Sequence, residues 1–238
     1  MTTSTRKTAY RQGIIDASPF ILVIIPFASL FGVLATEAGL NVVETMAFSI
    51  VVIAGAAQFT ALQLMQENVP TAIVLISALA VNLRMAMYSA SLTPYIGAAP
   101  LWQRALCAYL TVDQSYVVGV AKFEAAPEMT VPERVGYFLG AVTPIVPLWY
   151  IFTLVGALLG ARIPDSWALD FAIPIAFLAM IAPMFRTFAH IVAALVAVVV
   201  ALLAAGIPYS LGLIIAGIAG MMAGARTELW QQRKAADQ

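Results

Sequence analysis

The sequence predicts an all-α polytopic membrane protein of about eight transmembrane helices, several of them broken by proline. Composition and spacing carry that prediction. Of 238 residues, 62% are hydrophobic and only 10% charged, where a soluble domain carries roughly one quarter charged residues. Apolar runs of the roughly 20 residues needed to cross a hydrocarbon core about 30 Å thick follow one another with short gaps. The formal net charge is zero and no basic run forms a phosphate-binding patch, which argues against a nucleic-acid partner. Cys107 is the sole cysteine and lies in an apolar segment, so it reads as a packed small hydrophobe. An internal disulfide or a cysteine-based metal cluster is excluded. No metal and no cofactor is expected.

The spans are read in order as Ile14 to Ala35, Thr45 to Met65, Pro70 to Leu92, Leu101 to Ala121, Val135 to Gly160, Trp167 to Met184, Phe188 to Ala205 and Pro208 to Ala225. Residues 1–13 and 226–238 are then cytoplasmic tails flanking a single transmembrane transport domain, 14–225. Basic residues test the assignment, because cytoplasmic loops collect them. With both termini inside, the cytoplasmic side holds Arg6, Lys7, Arg11, Lys122, Arg134, Arg186, Arg226, Arg233 and Lys234, against Arg104 and Arg162 outside. A seven-span alternative, with one proline-broken segment re-entrant, would put the basic tails on opposite faces. A faint internal similarity lays Phe31-Gly32-Val33-Leu34-Ala35 on Val155-Gly156-Ala157-Leu158-Leu159. Four spans per half would make such repeats parallel.

Pro19 and Pro26 fall in the first span, Pro144 and Pro147 in the fifth, and Pro174 and Pro183 in the sixth. Each removes a backbone donor where no water replaces it, so these spans are expected to be discontinuous. Such breaks mark binding sites in many transporters, although a kink that only shapes the bundle is the simpler account. Ala54-Gly55-Ala56-Ala57-Gln58-Phe59 sets four small residues before an amide and an aromatic. Gly220-x-x-x-Gly224 is a helix-contact spacing and is read as packing.

Arg84 is the most informative residue. A cation near the bilayer centre costs at least about 2.5 to 3.5 kcal/mol on insertion scales and requires a partner or water. Asp113 is the expected partner. At about 1.5 Å per residue, Asn82, Arg84, Asp113 and Gln58 lie roughly 12 to 20 Å below the outer ends of their spans, near the midplane where secondary transporters hold cargo. Arg84 and Tyr88 share a helix face, whereas Asn82 and Arg84 line one cavity only if the helix unwinds. The competing account makes Arg84 and Asp113 a structural ion pair and Asn82 an interhelical hydrogen bonder. Asp16 and Asp170 are weaker candidates near the interfaces. His190 is the sole histidine, at a helix end, and one histidine makes no metal site.

These residues resemble the AzlC family, the large subunit (BrnF type) of bipartite branched-chain amino acid exporters. The likeness runs over nearly the whole chain. It is carried by Pro26-Phe27 with Phe31-Gly32, by Ala54-Gly55-Ala56-Ala57-Gln58-Phe59, by Asn82-Leu83-Arg84 with Tyr88 and Ser91-Leu92, and by Leu169-Asp170-Phe171-Ala172 with Pro174 and Phe177-Leu178-Ala179. Met85 and Gln114 depart from it, standing where the family often has a histidine and an acid. The resemblance implies proton-driven export of valine, leucine, isoleucine and often methionine across a bacterial inner membrane, with a small hydrophobic AzlD-type subunit as partner. No Walker-type phosphate loop is present, so an attached ATPase is not expected.

The expected cargo site therefore combines Gly55, Gln58 and Phe59 with Asn82, Arg84 and Tyr88. Arg84 would meet the carboxylate, Phe59 and Met85 would hold the side chain, and Asp113 would carry the proton or release Arg84. A passive channel or a non-transporting assembly subunit is the alternative. An intramembrane hydrolase fits less well, because His190 sits at a helix end and no Gly-x-Ser-Gly elbow occurs. The chain is not expected to be an enzyme.

Overall fold

The computed structural model describes residues 5–160, 185, 187–207 and 211–236. These residues form helices and connecting turns, with no strand among them. Helix α1 (Arg6–Ala17) starts where the Thr5 hydroxyl accepts from the Thr8 N–H. A short 3-10 turn, Ser18–Phe20, carries Pro19 and leads into α2 (Ile21–Glu37). Asn41 and Glu44 form a reciprocal cap that opens α3 (Val42–Val51). Helices α4 (Gly55–Gln66), α5 (Thr71–Ile96), α6 (Leu101–Tyr109) and α7 (Asp113–Ala125) follow. Then come α8 (Val131–Val142), α9 (Val146–Gly160), α10 (Phe188–Leu203) and α11 (Leu211–Ala236). The stretches Arg6–Glu37, Thr71–Ile96 and Val131–Gly160 are long and apolar enough to cross a membrane. The sixth expected span, with Asp170, Pro174 and Pro183, lies outside the described residues.

The first and fifth spans break at prolines, as expected, and further breaks fall where no proline stands. Among the described span prolines, Pro19 and Pro144 coincide with turns, at Ser18–Phe20 and Thr143–Ile145, whereas Pro26 sits inside an uninterrupted α2. The second and fourth spans, which hold no proline, also unwind, over residues 52–54 and 110–112. Val52 has φ −128° and ψ 94°, and Val112 φ −132° and ψ 165°. Both breaks contain adjacent β-branched residues, Val51-Val52-Ile53 and Thr111-Val112. Such residues lose side-chain freedom in a helix and fit extended backbone better. Local groups then take up part of the freed hydrogen bonding. Thr111 Oγ1 donates to the Cys107 carbonyl at 2.7 Å, and Ser115 Oγ accepts the Val112 N–H at 3.0 Å. A proline, by contrast, forfeits only one donor and leaves the rest of its helix intact.

The chain divides into two compact units, residues 1–63 with 81–169 and residues 64–80 with 170–238. In the first, α1 packs along α8 and α2 along α9. A Cβ on Gly13 would strike the Tyr137 carbonyl, and one on Gly140 the Tyr10 carbonyl. Gly32 meets the Thr153 carbonyl and Gly156 that of Ser29 in the same way. Each glycine faces the residue three positions before its counterpart, so both crossings have local two-fold symmetry. The contacts rise together along the two chains, from Arg6 with Gly136 through Tyr10 with Gly140 and Ser29 with Gly156 to Val33 with Gly160. The two spans therefore run parallel, as a repeat of four spans per half requires. Close approach of this kind needs glycine, because any side chain would collide with backbone.

In the second unit α10 packs on α11. Gly220 lies against Ala193 and Ala197, and Gly224 against Ala189 and Ala193. The Gly220-x-x-x-Gly224 spacing is thus a packing face, as expected.

Candidate transport site

The expected cargo-site residues other than Asn82 fall into two clusters within the first unit. Around the α3–α4 break, Gln58 is fully buried, and its Nε2 donates to Ser49 Oγ at 3.1 Å. Ser49 donates in turn to Thr153 Oγ1 at 3.4 Å. Thr45 and Ser49 share one face of α3, and Trp149 and Thr153 one face of α9, each pair at i, i+4. These buried polar groups were not singled out from the sequence, although that spacing was legible. Three buried polar atoms of α3, α4 and α9 have no hydrogen-bond partner among the described residues: Thr45 Oγ1, Gln58 Oε1 and Trp149 Nε1.

An aromatic wall closes the cluster. Phe59 lies edge-on to Phe27 at 4.9 Å between ring centroids and to Phe31 at 5.5 Å, and Phe27 tilts against Trp149 at 5.7 Å. Gly55 lies beneath these rings, where a Cβ would come 2.5 Å from Phe27 Cε1 and 3.1 Å from Trp149 Cη2. Small residues at the start of α4 thus make room for aromatic side chains. The first N–H groups of α4 have no acceptor within their own helix and form the positive end of its dipole.

The second cluster joins α5 to α7. Arg84 Nη1 lies 3.2 Å from Asp113 Oδ2, the ion pair the sequence predicted, with each side chain about one fifth exposed (22% and 22%). Tyr88 donates to Asp113 Oδ1 at 2.9 Å. Asp113 is the first residue of α7, so its charge also meets a helix N-terminus. Tyr116 stacks on Tyr88 with centroids 4.0 Å apart and donates to Ser91 Oγ at 3.1 Å. Arg84, Tyr88 and Ser91 form one face of α5, and Asp113 and Tyr116 one face of α7. Ser91 and Tyr116 were not assigned a role from the sequence; the i, i+4, i+7 spacing with Arg84 was the available signal.

Asn82 joins neither set of hydrogen bonds. Helix α5 stays helical through residues 82–88, so the unwinding needed to bring Asn82 and Arg84 into one cavity is absent, and Asn82 Oδ1 is buried without a partner among the described residues. Asp16 accepts from Tyr137 and from Gln12, both at 2.7 Å. Asp170 lies outside the described residues. No group of three or more His, Cys, Asp or Glu among the described residues is placed to hold a metal.

The family model for AzlC protein matches residues 19–163, more than half of the chain, and takes in both broken spans and the Arg84–Asp113 pair. A membrane protein of Archaeoglobus fulgidus is 29% identical over 183 residues, covering 75% of this chain and 77% of its own length. The inner membrane protein YgaZ of Escherichia coli is 25% identical over 186 residues, covering 76% and 75%. No solved structure matches. These relatives and the apolar helices agree with a component of a membrane transporter. The chain belongs to the AzlC family of membrane proteins.

Proposed function

We propose that this chain is the large subunit of a proton-coupled exporter of branched-chain amino acids, with methionine as a further cargo, working with a small AzlD-type subunit in a bacterial inner membrane. Both termini are cytoplasmic in this reading. The observation that carries it is the pair of unwound segments, 52–54 and 110–112, each followed by a half-helix with a polar residue in its first turn, Gln58 and Asp113. Half-helix N-termini present free N–H groups and a positive dipole end to anionic ligand groups at membrane depth.

In this mechanism the α4 N-terminus and Gln58 orient the cargo's charged ends, and Phe27, Phe31, Phe59 and Trp149 hold its aliphatic side chain. Arg84 is occupied by Asp113 in the observed state. Protonation of Asp113 removes that ion pair and frees Arg84 for the cargo carboxylate; return of the proton displaces the carboxylate and restores the pair. Differential binding of cargo to the two states couples proton to amino acid. Tyr88 holds Asp113 through its hydroxyl, and Asn82 is a further cargo contact in this reading.

The test loads cells lacking their own exporters with valine-containing or methionine-containing dipeptides and measures amino acid release. The chain is expressed alone, with a small AzlD-like subunit, or not at all. Faster release with both subunits, abolished by collapsing the proton gradient, is the expected result. Release equal to empty cells with both subunits verified in the membrane sinks the cargo assignment. Release indifferent to the gradient favours a passive pathway.

A further inference from the structure

The parallel repeat in the first unit isolates one residue whose chemistry its position does not require. Tyr10-x-x-Gly13-x-x-Asp16 in the first span matches Tyr137-x-x-Gly140-x-x-Thr143 in the fifth, and the reciprocal glycine contacts place the two segments about one two-fold axis. Their hydrogen bonds obey the same symmetry. Tyr137 donates to Asp16 Oδ2 at 2.7 Å, and the Tyr10 and Thr143 hydroxyls pair at 2.8 Å. One half of the seam thus makes its inter-span bond with a neutral hydroxyl. The seam needs a hydrogen-bonding oxygen there and no charge, yet the other half carries a carboxylate.

Neither hydrogen-bond donor to Asp16 requires a charge on it. Its two donors, Tyr137 and Gln12, are neutral, and among the described residues no lysine or arginine pairs with it. From the elements packed against α1, the titratable and charged groups around this bond are Tyr137 of α8 and Lys122 of α7. Lys122 Nζ lies 5.9 Å from the Tyr137 ring centroid; Tyr10 lies on α1 itself. A protonated Asp16 still accepts through its carbonyl oxygen and offers its new O–H to the Tyr137 oxygen, so the bond survives either state. Asp113 differs, because protonation there abolishes an ion pair.

We propose that Asp16 is a second proton-carrying group of the transport cycle, taking a proton from water and returning it while the α1–α8 seam stays closed. This rests on the reading of the chain as a proton-coupled transporter. The decisive variant is Asp16→Thr, which copies the oxygen used at Thr143 and so preserves the structural role; Asp16→Asn is the second variant should the first fail to fold.

Purified full-length protein is titrated by infrared difference spectroscopy, and proteoliposomes containing both subunits are assayed for valine efflux and internal pH. The expected result is protonated-carboxyl absorption that grows as pH falls, with one component retained in Asp113→Asn and missing in Asp16→Thr. The Asp16→Thr protein melts as the wild type does but loses at least about tenfold of its acceleration by a pH gradient, about 1.4 kcal/mol of coupling. An Asp16→Thr protein whose efflux keeps the wild-type pH profile overturns the proposal alone. Valine efflux without proton movement in the wild type overturns the transporter reading and the proposal with it.

Discussion

The Tyr109 hydroxyl donates to the Ile50 carbonyl at 2.6 Å, tying the last residue of α6 to the carbonyl end of α3. The two broken spans are therefore linked beside their breaks, and Tyr150 of α9 adds a hydroxyl 3.0 Å from that of Tyr109. A neutral hydrogen bond contributes about 0.5 to 1.5 kcal/mol net. Tyr109→Phe is expected to lower the maximal export rate about 2- to 10-fold while leaving the cargo concentration for half-maximal rate nearly unchanged. Efflux measured over a range of internal valine concentrations checks this; an unchanged rate would mean that the link has no part in the cycle.

Arg84 and Asp113 are expected to separate folding from transport. Asp113→Asn or Arg84→Gln alone strands a charge, and loss of a charged hydrogen bond, about 1.5 to 3 kcal/mol, corresponds to a fall of roughly 10- to 100-fold in export. The double variant removes both charges and should recover thermal stability in detergent without recovering export. Recovery of export by the double variant would make the pair purely structural.

Gln58 offers the opposite signature. It is fully buried with its Oε1 unpartnered among the described residues, so Gln58→Leu, similar in size and apolar, removes an unsatisfied group. Stability should hold or rise by about 0.5 to 1.5 kcal/mol while apparent cargo affinity weakens at least about tenfold. Scanning fluorimetry beside efflux kinetics distinguishes the two effects. A variant that is both stable and fully active would remove Gln58 from the cargo site.

Glycines in equivalent and inequivalent settings give a packing test. Gly13→Ala and Gly140→Ala each drive a Cβ into backbone of the facing span, and overpacking of this kind costs about 1 to 3 kcal/mol. A Cβ at Gly217 would meet nothing within 4 Å, and Gly217→Ala should be neutral or stabilising by roughly 0.5 to 1 kcal/mol, since alanine is the better helix former. Melting temperatures of the three purified variants decide the matter.

Much of this was legible in single residues. Apolar run length gave the helical membrane class because a bilayer leaves a helical chain no other way to satisfy its backbone. The cost of an unpaired intramembrane cation made an acid partner for Arg84 predictable, and Asp113 is that partner. Gly220 and Gly224 announced a helix contact by their spacing alone.

Other features waited for the packed chain. Proline removes one donor at a known position, but whether a helix unwinds depends on what receives the freed groups. Here Thr111, Ser115 and Tyr109 receive them at breaks that contain no proline. Gln58 and Arg84 share an estimated depth, yet they hydrogen-bond to different helices, because depth along a span says nothing about the direction a side chain faces. The likeness of Phe31-Gly32 to Val155-Gly156 became a two-fold relation only when each glycine was found against the backbone three residues before the other. Which groups must be buried and paired follows from the order of residues, because the bilayer penalises such groups one at a time. Which partner each one takes follows from the packing, because it depends on the distance and direction between helices far apart in the chain.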